Sequence, residues 1–185
     1  MQRCDWNYSG SIEQIYQDYH DYEWGKLNLN ENYLFEMLIL ESFQSGLSWS
    51  TILHKRDNFK KAFADFDIDK VSQFDEQDIK RLLTDSTIIR NKLKINAAIN
   101  NARVISSWHK KGKTLGEFLQ QYIPEPIINH PQSMSDIPAK TDLSTQISKD
   151  MKKAGFKFVG PTTIYSFLQG TGFINDHLEK CDFKY

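Results

Sequence analysis

Leu34-Phe35-Glu36-Met37-Leu38-Ile39-Leu40-Glu41-Ser42-Phe43-Gln44-Ser45-Gly46-Leu47-Ser48-Trp49 is the stretch whose reading decides the fold. Its apolar residues do not alternate with a period of two, and the run is far too long for a single strand. No other part of the chain alternates convincingly either, so the fold is expected to be all-α. At about 100° per residue, Glu36 and Glu41 lie on well-separated sides of this helix. Glu36 is expected to face water. Glu41 sits beside Leu34, Met37 and Leu38, with Ser45 one turn on. A bare carboxylate buried there costs several kcal/mol, so it must be paired, hydrogen-bonded or protonated. Two readings stay open: a salt bridge to a neighbouring helix, or a carboxylate kept in a pocket for a substrate.

The residues that follow favour the pocket. Gly46 suits a left-handed helix cap, Leu47 is then offered on a turn, and Ser48 caps the next helix with Trp49 in its first turn. An aromatic plane close to a buried carboxylate suits a flat, electron-poor heteroaromatic ligand that stacks on one and donates N–H groups to the other.

Outward from this stretch the pattern stays helical. Ser11 opens a helix with capping-box spacing that should run to about Trp24, before Gly25. It carries Tyr16, Tyr19 and His20 on one face. Further helices are expected at Glu31–Ser45, Ser48–Phe63, Asp75 to about Asp85, Asn91–His109, Thr114–Pro124, Leu143–Ala154, Pro161–Gln169 and Ile174–Cys181. Pro124 to Thr141 holds four of the five prolines and is the one irregular connection. Gly155-Phe156-Lys157-Phe158-Val159-Gly160 joins two helices as a short turn. With Pro161 opening the second helix, and Lys152, Lys153 and Lys157 nearby, exposed backbone N–H groups there suit a phosphate. A simple helix connection is the plainer alternative.

The chain holds two cysteines, Cys4 and Cys181. His177 and Cys181 are spaced i, i+4, and Cys4 and His20 lie near the other end. Together they offer the two sulfurs and two imidazoles of a closed tetrahedral zinc site, which would staple the termini and leave no position for water. Two separate buried thiols is the other reading.

With 185 residues, 39% hydrophobic and 25% charged, the composition is that of a soluble globular protein. No apolar run reaches the roughly 20 residues of a membrane span. Met1-Gln2-Arg3-Cys4-Asp5-Trp6 lacks an apolar signal core, which implies a cytoplasmic protein. A net charge of −1 speaks against a wide basic DNA footprint but leaves room for a small one.

Taken together, the chain resembles the 3-methyladenine DNA glycosylase I family over essentially its whole length. The resemblance rests on Arg3-Cys4-Asp5-Trp6, Tyr19-His20-Asp21-Tyr22-Glu23-Trp24-Gly25, and Leu40-Glu41 through Gly46-Leu47-Ser48-Trp49. Ile88-Ile89-Arg90-Asn91-Lys92, Gly155 to Gly160 and Asn175-Asp176-His177 extend it. It implies an all-α, helix-hairpin-helix monomer acting on double-stranded alkylated DNA, hydrolysing the N-glycosidic bond of 3-methyladenine and leaving an abasic site. It further implies one glycosylase unit, with a zinc lobe from about 1–30 and 165–185 and a hairpin lobe from about 31–164. Glu41 would bind the edge of the excised base and be the catalytic residue, Tyr19 would add a hydrogen bond, Trp49 would stack and Tyr16 would line the pocket. Cys4, His20, His177 and Cys181 match the zinc ligands. Gly155, Lys157 and Gly160 match the DNA anchor, and Leu47 sits where a wedge could fill the gap left by a flipped base. Asp176, beside His177, is expected to orient the zinc shell. Ser42-Phe43-Gln44-Ser45 departs from the family's more usual Gly-x-Gln-Ala. A non-catalytic zinc-stapled DNA-binding module is the alternative function.

Overall fold

The computed structural model describes residues 1–6 and 13–184. Along these the helices are α1 (Gln14–Tyr22), α2 (Glu31–Gln44), α3 (Trp49–Ala62), α4 (Ile68–Ser72), α5 (Glu76–Thr84), α6 (Lys92–His109), α7 (Leu115–Gln120), α8 (Asp142–Lys153) and α9 (Pro161–Gly170). The expected all-α architecture holds, apart from one short parallel pairing of β1 (Ile127–Ile128) with β2 (Ile174–Asn175). Among the described residues no helix is long and apolar enough to cross a membrane.

The boundaries follow local chemistry. Asn30, Ser48, Asp75, Asn91, Thr114 and Thr141 each accept a hydrogen bond from a backbone N–H in the first turn of the helix they cap. Pro161 opens α9, where its missing N–H costs nothing. Ser11, the expected cap of α1, lies outside the described residues; α1 follows Glu13, which makes no side-chain cap bond. Gly25 adopts φ +74° as expected past this helix.

α2 is the axis of the molecule. Leu34 through Phe43 are all buried, and α3, α6, α7 and α9 pack around it. A helix covered on every side has no water-facing stripe, which corrects the expectation for Glu36. That residue is only 6% exposed. It is ion-paired to Arg56 Nε at 2.7 Å, with Lys60 at 3.5 Å, and Arg56 also reaches Glu23 at 2.8 Å.

Three further differences are local. The α7 helix stops at Gln120, short of Pro124. The short α4 helix carries too few turns to show a helical period. Ile174–Cys181 is not a helix: Ile174–Asn175 pairs with β1, where Ile127 and Asn129 donate their N–H groups to Phe173 and Asn175. The residues beyond run as turns. The i, i+4 spacing of His177 and Cys181 therefore has a different structural origin, and tertiary contacts bring the two together.

Candidate functional site

Glu41 is buried, 5% exposed, on the α2 flank that faces α1 and α9. Among the described residues it has no ion pair and no hydrogen bond, in contrast to Glu36 five residues earlier. Burial alone pushes its carboxyl up to about 8. The salt-bridge reading of Glu41 is thereby excluded within the described chain. Glu41 instead opens onto a cavity of ≈ 330 Å³ that Tyr16, Tyr19 and Trp49 also line. The four residues picked out for a base pocket are thus gathered around one space.

The aromatic walls interlock. Tyr19 and Trp49 have ring centroids 5.2 Å apart at 52°. Trp6 stands edge-on to Tyr16 (5.1 Å) and to Trp24 (4.9 Å). Burial raises the Tyr19 phenol well above its ordinary value, and Glu41 adds to the effect; the same two causes raise Tyr16. Both hydroxyls therefore stay protonated and able to donate. At Gly170, on the α9 side, any side chain would have to displace the ends of the Met37 and Tyr19 side chains. A Cβ there would lie 2.7 Å from Met37 Cε, 2.9 Å from the Tyr19 hydroxyl and 3.7 Å from Glu41 Oε1.

Sequence reasoning missed part of the lining. Trp6, Trp24 and Gln44 stand inside quoted motifs without having been assigned to the pocket, whereas Met134 and Ile137 come from the proline-rich connection, and Ser166 and Gln169 from α9. Ser166 and Gln169 stand three residues apart in an apolar helix, a spacing that could have marked them.

Beside the cavity, α2 ends in a tight turn. Leu47 N–H donates to Gln44 O at 2.7 Å, Gln44 Nε2 donates to Leu47 O at 2.6 Å, and Gly46 takes φ +83°. The Lys94 ammonium, on α6, caps the helix by donating to Phe43 O (2.9 Å) and Ser45 O (2.8 Å). Leu47 is left on the surface, 38% exposed. Ser42, where the sequence departs from the family pattern, points away from the cavity. Its hydroxyl meets Leu38 O at 2.7 Å and Phe158 O at 3.1 Å, so it ties α2 to the turn between α8 and α9.

That turn is held from several sides. Gly155 has φ +99° and Phe158 φ +54°. Asn101, fully buried on α6, donates to Lys157 O (3.0 Å) and accepts from Lys157 N–H (2.8 Å). Asn100 donates to Gly155 O at 2.8 Å. The Lys157 and Phe158 side chains face outward.

Cys4, His20, His177 and Cys181 are all buried, and one ligand atom from each lies within 4.8 Å of all the others. Sulfur-to-nitrogen separations are 3.5 Å for Cys4–His177, 3.3 Å for Cys181–His177 and 3.7 Å for Cys181–His20. A tetrahedron with metal–ligand bonds of about 2.0–2.3 Å has edges of about 3.3–3.8 Å; these three separations match it and the remaining pairs lie within 4.8 Å, so the group could hold a four-coordinate metal ion. Each imidazole turns its other nitrogen to an acceptor: His20 Nδ1 to Asp21 Oδ1 (2.7 Å) and His177 Nε2 to Trp24 O (2.9 Å). Burial pushes His177 down to about 4 and lowers His20, which keeps both rings neutral as ligands must be. Arg3 grips Asp21 through Nε and Nη2. The residue that orients a ligand ring is therefore Asp21. Asp176, expected in that role, gives its hydrogen bonds elsewhere: among the described residues it accepts from Tyr165, Gln169 and Asn129.

A helical body with a clamped glycine turn between α8 and α9, and an aromatic cavity around a carboxyl that has no partner among the described residues, is the arrangement of the helix-hairpin-helix class of DNA-repair glycosylases. The chain belongs to the methyladenine glycosylase family, whose model matches residues 8–185. It is 42% identical over 182 residues to DNA-3-methyladenine glycosylase 1 of Escherichia coli (strain K12), covering 98% of this chain and 96% of that one. A crystal structure of 3-methyladenine DNA glycosylase I superposes with a TM-score of 0.93 at 41% identity, over 98% of both chains. A Staphylococcus aureus structure that describes 3-methyladenine recognition by the same kind of enzyme gives 0.91 at 38%, over 95% of this chain and 94% of that one.

Proposed function

We propose that this protein hydrolyses the N-glycosidic bond of 3-methyladenine in alkylated double-stranded DNA, releasing the base and leaving an abasic site. The observation that carries the reading is the buried carboxyl of Glu41, without a partner among the described residues, inside an aromatic cavity. A group held that way stores unfavourable desolvation that only a matching ligand relieves. The methylated nucleobase is cationic in DNA, so it is already a good leaving group. The protein has to extract it, hold it and exclude unmethylated bases, with little need to protonate it. Extraction costs a few kcal/mol, less for a damaged pair.

In this reading the base enters the cavity that Trp49 and the phenol rings line. As the base enters, Glu41 gives up its proton to the departing water and binds the N–H edge as a carboxylate, in a dry site where the attraction is far stronger than in water. Tyr19 adds a hydrogen bond and Tyr16 closes the wall. As the bond to C1′ breaks, its electron pair goes to the base, which leaves neutral. Positive charge moves to the sugar, where flanking DNA phosphates help to stabilise it before water adds to C1′ and gives up a proton to solvent, leaving the neutral abasic sugar. No lysine is among the described residues lining the cavity, which supports a monofunctional enzyme. Leu47 is read as the wedge behind the flipped base, and Gly155, Lys157 and Gly160 as the phosphate grip. Their support is exposure at the Gly46 turn and along the clamped turn between α8 and α9.

Cys4, His20, His177 and Cys181 would hold a structural zinc ion, which when bound supplies the cross-link between the chain's two end segments. That link also supports a division into a metal lobe (about 1–30 and 165–185) and a hairpin lobe (about 31–164). Methylated duplex DNA tests the whole reading. Free 3-methyladenine is expected with no coupled strand cleavage. Binding without base release would instead point to a non-catalytic module, and strand cleavage would refute the monofunctional assignment.

A further inference from the structure

Lys94, on α6, is only 8% exposed, and the partners of its ammonium among the described residues are two backbone carbonyls, Phe43 O at 2.9 Å and Ser45 O at 2.8 Å. The negative end of α2 compensates part of the charge. Burying an ammonium remains costly, and a glycine or asparagine ends a helix without that cost. What the ammonium secures is the residue between its two acceptors. Gln44 is gripped on both sides, and Gln44 in turn holds Leu47 by both of its backbone groups. Leu47 N–H donates to Gln44 O at 2.7 Å, and Gln44 Nε2 donates to Leu47 O at 2.6 Å. The Leu47 side chain is 38% exposed, so its direction is set by this backbone more than by packing.

The same helix holds the other element read as facing DNA. Asn100 and Asn101, about two turns further along α6, bond to Gly155 and Lys157 in the turn between α8 and α9. That turn therefore keeps its own anchors whatever happens at Lys94. We infer that Lys94 is a positioning residue for base extraction, locking the Gln44–Leu47 turn so that Leu47 stands ready to fill the space a flipped nucleotide leaves. The inference rests on the glycosylase reading given above and on Leu47 as its wedge. Lys94 then matters where a paired, stacked base has to leave the duplex, and matters little where pairing is already broken.

The test uses the full, metal-loaded chain and a DNA strand with one 3-methyladenine. The strand is annealed either to its full complement or to a partner that leaves the lesion and its neighbours unpaired. Each enzyme is read as the ratio of base release from the paired and unpaired substrates, which a loss of folded protein does not move. Lys94→Met keeps the side-chain length and removes the ammonium. It should lower the paired-to-unpaired ratio by about tenfold, on the order of one hydrogen bond to a charged group. Leu47→Ala should shift the ratio the same way. Adding Lys94→Met to Leu47→Ala should shift it little further, because the ammonium acts through that side chain. An unchanged ratio in Lys94→Met, with base still released, overturns the inference and leaves the glycosylase reading standing. So does an unchanged ratio in Leu47→Ala, or an effect of Lys94→Met as large in the Leu47→Ala background as in wild type. If Lys94→Met does not fold, Lys94→Gln, whose NH2 group stands one bond short, is read by the same criteria. A wild-type chain that releases base from neither substrate removes the glycosylase reading and this inference with it.

Discussion

Replacing Glu41 with glutamine should make the protein more stable, and more so as the pH rises. The folded-state carboxyl titrates at about 8 against an ordinary 4.5, because burial favours its neutral form. Between those values the folded chain holds a proton that the unfolded chain has lost. Stability is then full below pH 4.5, falls as pH rises toward about 8, and levels off above it. The distance from 4.5 to about 8, at about 1.4 kcal/mol per pH unit, is on the order of 5 kcal/mol. Relaxation of the cavity and water entering it would reduce the figure. Glu41→Gln keeps the shape and never ionises, so the variant should lack this loss. Urea unfolding of both proteins from pH 5 to 9 measures it. The gap between them should be small at pH 5, widen through neutrality to several kcal/mol, and stop growing above pH 8. Titration of the buried Cys/His cluster occurs in both proteins and cancels in the difference. Parallel curves, offset by the same amount at every pH, would refute the reasoning and mean that Glu41 has a partner in solution.

Three further outcomes follow from the same geometry. If only the deprotonated Glu41 binds the cationic base, kcat/KM on methylated DNA should climb up to tenfold per pH unit and flatten near pH 8; a flat profile from 6 to 8 would contradict this. Cys181→Ser should lower the thermal midpoint and the zinc content measured by elemental analysis, while single-turnover base release by the folded fraction stays near wild type. Ser42→Gly restores the residue more usual in the family, but it removes the hydroxyl contacts to Leu38 and Phe158 and adds a helix-interior glycine. Chemical denaturation should show a loss of about 1–2 kcal/mol with 3-methyladenine release intact.

Much of this was legible in the sequence because it is local. The helix starts at Ser48, Asp75, Asn91 and Thr114, the Gly25 and Gly46 stops, and Pro161 announce themselves in single residues and their neighbours. Glu36 was misread because a helical period separates two sides without saying what covers either; here Arg56 covers the second one. His177 and Cys181 illustrate the opposite failure. Their spacing pointed to the right pair through the wrong element, since a turn held against Cys4 and His20 converges as well as a helix face does. The cavity wall from Met134 and Ile137 left no local signal, because nothing near those residues says that the connection folds back over α1 and α9. Asp21, which bonds to His20, and Gln169, which reaches the cavity wall from α9, depend on contacts that only the folded chain makes.

The central claim is that Glu41 is a pocket carboxylate that reads and holds a cationic base. Single-turnover release of free 3-methyladenine from methylated duplex DNA, by wild type and by Glu41→Gln at pH 8, tests it most directly. The account predicts a fall on the order of a hundredfold or more in a variant that remains folded. Release by Glu41→Gln within a few-fold of wild type would contradict it.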